Sequence, residues 1–324
     1  MKKYICLLLT LIESSFLFFN AQAQSSIYHF EKKIYIPGSS WWDYLGIDTV
    51  HHRLFVSHGD AVNVINLKNE TLETTIPDLH GVHGIAIAND LNRGFISNGE
   101  ANAVTVFDLS TLKTIATIPV TGKDPDCIVY DPFSKQVFTF NGDSDNSTVI
   151  NAKDLKVVGT ITLGGSPEFA VSNNNGKIYN NLTDKNEIVV IDTKQRKITK
   201  HFSIAPCERP TALAIDIAHQ RLFTACRKDK GVTVINAITG KVITTLPIGA
   251  GVDAARFDPA TGLVFASAGD GTTTIIHENT PDEYQIVQTL KTQEGARTME
   301  LDPDTHKIYL SVAQHKEGER RSMV

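Results

Sequence analysis

Excess charge, cysteine, tryptophan and long apolar runs are all scarce in this chain, and each scarcity narrows what it can be. Lys plus Arg number 31 against 36 Asp plus Glu, a formal charge of −5. A chain this mildly acidic offers no global basic face for nucleic acid or anionic lipid, which bind through one. Beyond the first two dozen residues no apolar stretch is long enough to span a bilayer. There are four cysteines and two tryptophans in 324 residues. No nucleophile elbow, Walker loop, dinucleotide-binding glycine fingerprint or HExxH stretch occurs. The run 143–146, DSDN, lacks the glycine and distal glutamate of a calcium loop. No local motif therefore announces an enzyme.

The exception to the low hydropathy is the N-terminus. Lys2 and Lys3 precede the apolar stretch 4–19, and Ala21-Gln22-Ala23 supplies small residues before Gln24. That order is a secretory signal peptide over 1–23; its shortness and the internal Glu13 argue against a retained anchor. Removing it takes Lys2, Lys3 and Glu13 away and leaves −6. The mature chain, 24–324, is expected to be periplasmic or secreted, with no membrane span.

What the chain does contain is a repeat. The stretch 209–251 reads as four short strands rich in Val, Ile, Thr and Phe, separated by polar turns. Its second strand, RLFTA, has counterparts RLFVS, RGFIS, QVFTF, KIYNN, LVFAS and KIYLS. The aromatic anchors Phe55, Phe95, Phe138, Tyr179, Phe223, Phe265 and Tyr309 stand 40, 43, 41, 44, 42 and 44 residues apart. Four strands per period of about 42 residues make an all-β, seven-bladed β-propeller, one domain of four-stranded blades. Seven residues before each anchor stand Asp48, Ala88, Asp131, Ser172, Asp216, Asp258 and Asp302. The five aspartates are read as caps of the turn between first and second strands, not as catalytic groups.

The third strands (VNVINL, VTVFDL, TVINAK, IVVIDT, VTVINA, TTIIHE), the [RK]-[LI]-[FY] second strands and the Pro-rich blade junctions such as KTIATIPVTG resemble the YVTN-repeat, YncE-like family of seven-bladed propellers, over about residues 28–315. The resemblance implies an extracytoplasmic protein with a central channel and no assured enzymatic activity. At the ends, EKKIYIPG at 31–38 matches a fourth strand, so it is expected to close the ring as the outer strand of the last blade. The last blade has no visible third strand: HKEGERRSMV is polar and short, which predicts a blade truncated at the C-terminus.

Counting back five from the turn position finds the residue just before each inner strand, where side chains line the channel mouth. These are Asp43, His83, Asp126, Thr211, Asp253 and Arg297, with Glu168 in the fourth blade once a one-residue gap is allowed. Such a ring is the expected ligand site. Asp126, Glu168 and Asp253 could hold a divalent cation such as calcium, an oxygen-seeking ion, while the alternative is a solvated rim partly neutralised by Arg297. Trp41, Trp42 and Tyr44 flank Asp43; Trp42 and Tyr44 are added to the ligand site as aromatics at a groove edge, the alternative being packing across the ring closure.

Cys207 leads into the fifth blade and Cys226 ends its second strand, so neighbouring strands would bring them to bridging distance in an oxidising compartment. Cys127 reads as a small buried hydrophobe. Together these features predict a monomeric exported binding or scaffold protein, engaging a small molecule or an envelope protein at the mouth. The alternative is a metal-dependent, lactonase-like hydrolase in which a central cation polarises a carbonyl. Two tryptophans are too few for the tryptophan repeat of a quinone-dependent propeller dehydrogenase.

Overall fold

The computed structural model describes residues 27–38, 40–316 and 319–323, so the signal peptide expected at 1–23 lies outside the described residues. Seven four-stranded antiparallel sheets follow one another around a ring. The inner strands are Leu45–Asp48, Val82–Ala88, Pro125–Asp131, Pro167–Ser172, Pro210–Asp216, Val252–Asp258 and Thr298–Leu301, each at its predicted place. Helix is confined, among the described residues, to two short 3₁₀ turns at Asn89–Leu91 and Gly142–Ser144. No helix among them is long and apolar enough to cross a membrane.

Alternation along the strands builds the core between blades. The anchors Phe55, Phe95, Phe138, Phe223 and Phe265 are fully buried. Each joins an apolar cluster that spans neighbouring sheets, as Phe223 does with Val252, Ala255 and Val264. A blade alone would expose both faces, so stacking supplies the burial that drives folding. Outer strands such as Thr71–Ile76 are mostly exposed, as their polar alternation requires.

The turn aspartates act as caps. Asp48 accepts the backbone N–H groups of Val50 and His51, and Asp131, Asp216, Asp258 and Asp302 accept from Ser134, Ala218, Ala260 and Asp304 at 2.9–3.1 Å. All five are at most 5% exposed. They also link blades: Asp131 accepts from Ser172 Oγ at 2.8 Å, and Asp258 lies 2.8 Å from His306 Nδ1.

The closure forms as expected, with Tyr35–Ile36 paired to the last blade at Tyr35↔Met323 and Ile36↔Ser322. That blade corrects one expectation. Its third strand is present at Glu319–Met323, antiparallel to Ile308–Lys316. Ladder hydrogen bonds come from the backbone, and two residues suffice to join a hairpin. A charged sequence therefore pairs where the hydrophobic pattern shows no strand.

Cys207 and Cys226 are joined in a disulfide with Cα atoms 5.4 Å apart, and Cys127 is free and buried. The bridge spans 19 residues of chain. Closing a loop of that length restrains the unfolded chain by about 3 kcal/mol. The double variant Cys207→Ala/Cys226→Ala is expected to lose about that much in urea unfolding at pH 7; unchanged stability would show that the bridge restrains nothing.

Candidate functional site at the channel mouth

A common device aims the ring residues. In five blades the inner strand begins with a register shift against its neighbour, between Val82/Ile85, Pro125/Ile128, Pro167/Ala170, Pro210/Ala212 and Val252/Ala254. These irregularities enclose His83, Asp126, Glu168, Thr211 and Asp253. A bulge breaks the strict alternation and turns a side chain that would enter the sheet toward another direction. Two residues ahead of the ring position the chain takes a left-handed residue in several blades. Gly81, Gly251 and Gly295 fill it at φ of 62°, 75° and 85°, while Asp124 and Arg209 adopt it at 56° without glycine's freedom.

The ring divides into two halves. On one side His83 Nδ1 lies 2.7 Å from Asp43 Oδ2 and 3.6 Å from Asp126 Oδ1, while His83 Nε2 lies 3.4 Å from Asp124 Oδ1. Trp41 covers this imidazole, ring centroids 5.2 Å apart. On the other side Asp253 takes two guanidinium groups, Arg227 and, at 2.9 Å, Arg297. Glu168 is within reach of both halves and feels the charges of Asp253, Arg227, Asp43 and Arg209. Asp126 Oδ1 is buried without a hydrogen-bond partner.

The electrostatics follow from this crowding. Burial pulls the His83 imidazolium down, but hydrogen bonds to Asp124 and Asp43 outweigh it and push the group up to about 10. Burial, then the neighbouring Asp43 charge, raises the Asp126 carboxyl well above the usual range. Burial, then the charge of Asp253, raises Glu168 to about 7. Burial raises Asp253 as well, with Arg227 and Arg297 opposing. Asp124 goes the other way, lowered chiefly by its hydrogen bond to His83. The structure thus brings Asp43, His83 and Asp126 within ligating distance of one another, all three donor atoms lying within 4.8 Å.

Three predicted site residues do not present themselves to a ligand. Thr211 is 2% exposed and its hydroxyl donates to the Val252 carbonyl at 3.0 Å, a tie between blades. Trp42 packs against Ala296, Leu310 and Val312 at the ring closure. Tyr44 turns inward, its ring 5.2 Å from Phe169. Successive side chains of an extended segment point to opposite sides, so with Asp43 committed to the mouth it is Trp41 that stays there. The trio of Asp126, Glu168 and Asp253 expected to hold a cation is also modified, because Asp253 is already neutralised by two arginines.

Below the ring a second layer closes the channel. Arg256 and Glu300, from the inner strands of the sixth and seventh blades, form a two-pronged pair at 2.8 and 3.0 Å. The guanidinium sits 5.0 Å over the Phe169 ring. With Tyr44 these groups line a cavity of about 90 Å³. Sequence reasoning missed this layer and also Arg227 and Asp124. Arg227 follows Cys226 at the end of a second strand, where the turn toward the mouth is readable but the partner is not. Asp124 was in view two residues before Asp126, at the left-handed position.

Several solved structures share the fold. A chain of Kuenenia stuttgartiensis hydrazine synthase superposes with a TM-score of 0.73 at 15% identity, covering 85% of this chain and 96% of its own. U3-55K gives 0.78 at 9% identity, covering 90% and 97%, and a chain of the mitotic checkpoint complex 0.76 at 13%, covering 99% and 98%. At such identities the likeness is one of fold alone. No curated protein matches the chain in sequence. Residues 38–176, the first three blades and the inner strand of the fourth, match the YNCE-like beta-propeller family, and the same four-stranded repeat carries on around the rest of the ring.

Proposed function

We propose that this propeller is an exported binding protein that captures a cationic group at the acidic half of its channel mouth. The group is an ammonium or guanidinium, carried by a small molecule or by a Lys or Arg side chain of an envelope protein. One observation carries the reading: Asp126 Oδ1 is buried without a hydrogen-bond partner, close enough to Glu168 to feel its charge, while Arg227 and Arg297 are paired with Asp253. Acceptors desolvated in this way gain from a ligand that brings N–H donors and positive charge. Trp41, tilted at 46° to the His83 ring and 41% exposed, offers a flat face at the rim for such a cation. The Cys207–Cys226 bridge supports an oxidising compartment.

The hydrolase reading retains one observation in its favour, the Asp43–His83–Asp126 donor cluster. Against it, both ring nitrogens of His83 are already engaged, Nδ1 by Asp43 and Nε2 by Asp124, so an ion would have to displace those contacts. Thermal melts separate the two readings. Spermidine or arginine methyl ester is expected to raise the melting temperature of the wild type in a saturable, salt-sensitive way, and Asp126→Asn/Glu168→Gln is expected to abolish the rise. A rise with calcium or manganese alone would transfer the mouth to the metal-dependent reading, and an undiminished rise in the variant would remove Asp126 and Glu168 from the site.

A further inference from the structure

The inner strand Pro210–Asp216 begins at the mouth with Thr211 and ends at Asp216, about 17 Å away at 3.3 Å per residue. At that far end, on the face opposite the mouth, a second cluster gathers. Asp216 Oδ2 lies 2.6 Å from His219 Nδ1, and the same nitrogen lies 3.1 Å from Glu278 Oε1 of the sixth blade. The three donor atoms fall within 4.8 Å of one another. Asp216 and Glu278 side chains are 2% and 4% exposed, and His219 is 53% exposed.

The repeat shows how unusual Glu278 is. The residue following the last paired position of the third strand is Leu67, Leu109, Ala152, Thr193 and Ala237 in the first five blades, and Glu278 in the sixth. Four of those five are fully or nearly buried, so the position is an interior one. A carboxylate there has lost its water, and neither Glu278 oxygen has a hydrogen-bond partner. His219 does not repair this. Its Nδ1 carries one proton at most, and Asp216 stands closer to it. Arg221 does not either, since its guanidinium is engaged by Asp282 and by the carbonyls of Pro281, His219 and Gln220. The first blade supplies an internal comparison: Asp48 and His51 form the same i, i+3 pair at 2.6 Å, but the third position next door is Leu109, and among the described residues no third donor joins them.

We propose that Asp216, His219 and Glu278 form a site for a divalent transition ion of the zinc type, which ties the fifth blade to the sixth on the face opposite the mouth. One imidazole nitrogen and two carboxylate oxygens are a donor set that zinc accepts, and the exposed side of His219 leaves a coordination position open to water. The ion supplies the positive charge that the buried Glu278 lacks, and its ligands come from two sheets, so binding restrains their separation. The inference is independent of the mouth and survives or fails without it.

The test uses metal-stripped full-length protein in which Asp43→Asn/Asp126→Asn removes the mouth donors. Calorimetric titration with zinc is expected to show one equivalent bound and a raised melting temperature, with calcium giving neither. Cobalt in its place is expected to give visible d–d absorption. His219→Ala and Glu278→Ala, added singly, are each expected to weaken zinc binding at least tenfold and to abolish the cobalt band. Glu278→Ala is compatible with folding, since alanine occupies the position in the third and fifth blades. Absence of zinc binding in the mouth-silenced protein, or binding undiminished by Glu278→Ala, would overturn the site and leave Glu278 as a carboxyl buried in its neutral form.

Discussion

Replacing Glu300 by alanine is expected to destabilise the propeller by about 3–5 kcal/mol, the range for removing one partner of a buried ion pair. Glu300 and Arg256 are each about 15% exposed in their side chains, and the Nε and one terminal nitrogen of the guanidinium meet the two carboxylate oxygens. Around them are Tyr44, Cys127 and Phe169, which offer Arg256 no other anion. The loss comes mainly from the stranded guanidinium, because the pair itself repays little more than its own desolvation. The double variant Arg256→Met/Glu300→Leu is therefore expected to recover most of the stability. Urea unfolding of the three proteins at pH 7 decides the matter. A loss below about 1 kcal/mol for Glu300→Ala would mean that water screens the pair and that the channel is open at this level.

The second large effect is a dependence of stability on pH set by the mouth. Glu168 has a folded-state value of about 7, above its ordinary 4.5, so it favours the folded state while protonated. That contribution is fully present below pH 4.5 and is lost as pH rises to about 7. His83 is also raised, from 6.5 to about 10. Its contribution is complete below pH 6.5 and is lost between there and pH 10. Asp124, lowered by the same pair, adds stability that disappears as pH falls through its depressed value, below 3.8. Each tenfold change in proton affinity corresponds to about 1.4 kcal/mol, so wild-type stability is expected to fall by a few kcal/mol from pH 5 to pH 10. His83→Gln is expected to flatten the segment above pH 6.5, and Glu168→Gln the segment below 7. Denaturant melts at pH 5, 7 and 9.5 read both; parallel slopes in wild type and His83→Gln would show that His83 carries no such charge.

Much of this architecture is legible in the sequence because a repeat is read seven times. One aromatic anchor leaves its strand ambiguous, but the series from Phe55 to Tyr309 sets the register of every blade and the closure by Tyr35–Ile36. The turn aspartates are legible for the same reason, since a cap depends on neighbours two or three residues away. The mouth is legible as a set of positions, because repeat counting gives one residue per blade. It does not give their partners. Whether Asp253 meets Arg227, or Tyr44 swings inward to Phe169, depends on distances across the channel, which no local spacing encodes. Thr211 shows the limit well: it occupies its ring position but spends its hydroxyl on the next blade. The third strand of the last blade was illegible because its pairing is a backbone matter, indifferent to the polar side chains of 319–323. Glu278 could have been found, by noticing a carboxylate where Leu67, Leu109, Ala152, Thr193 and Ala237 stand in the other blades.

The central claim, that Asp126 and Glu168 are acceptors held for a cationic group, is tested most directly by calorimetric titration of the full-length protein with spermidine. Titrations at low and high salt would compare the wild type with Asp126→Asn/Glu168→Gln. The account predicts saturable binding to the wild type that weakens as salt screens it, and none to the variant. Equal binding by both proteins, or no binding by the wild type to spermidine or to arginine methyl ester, would contradict it.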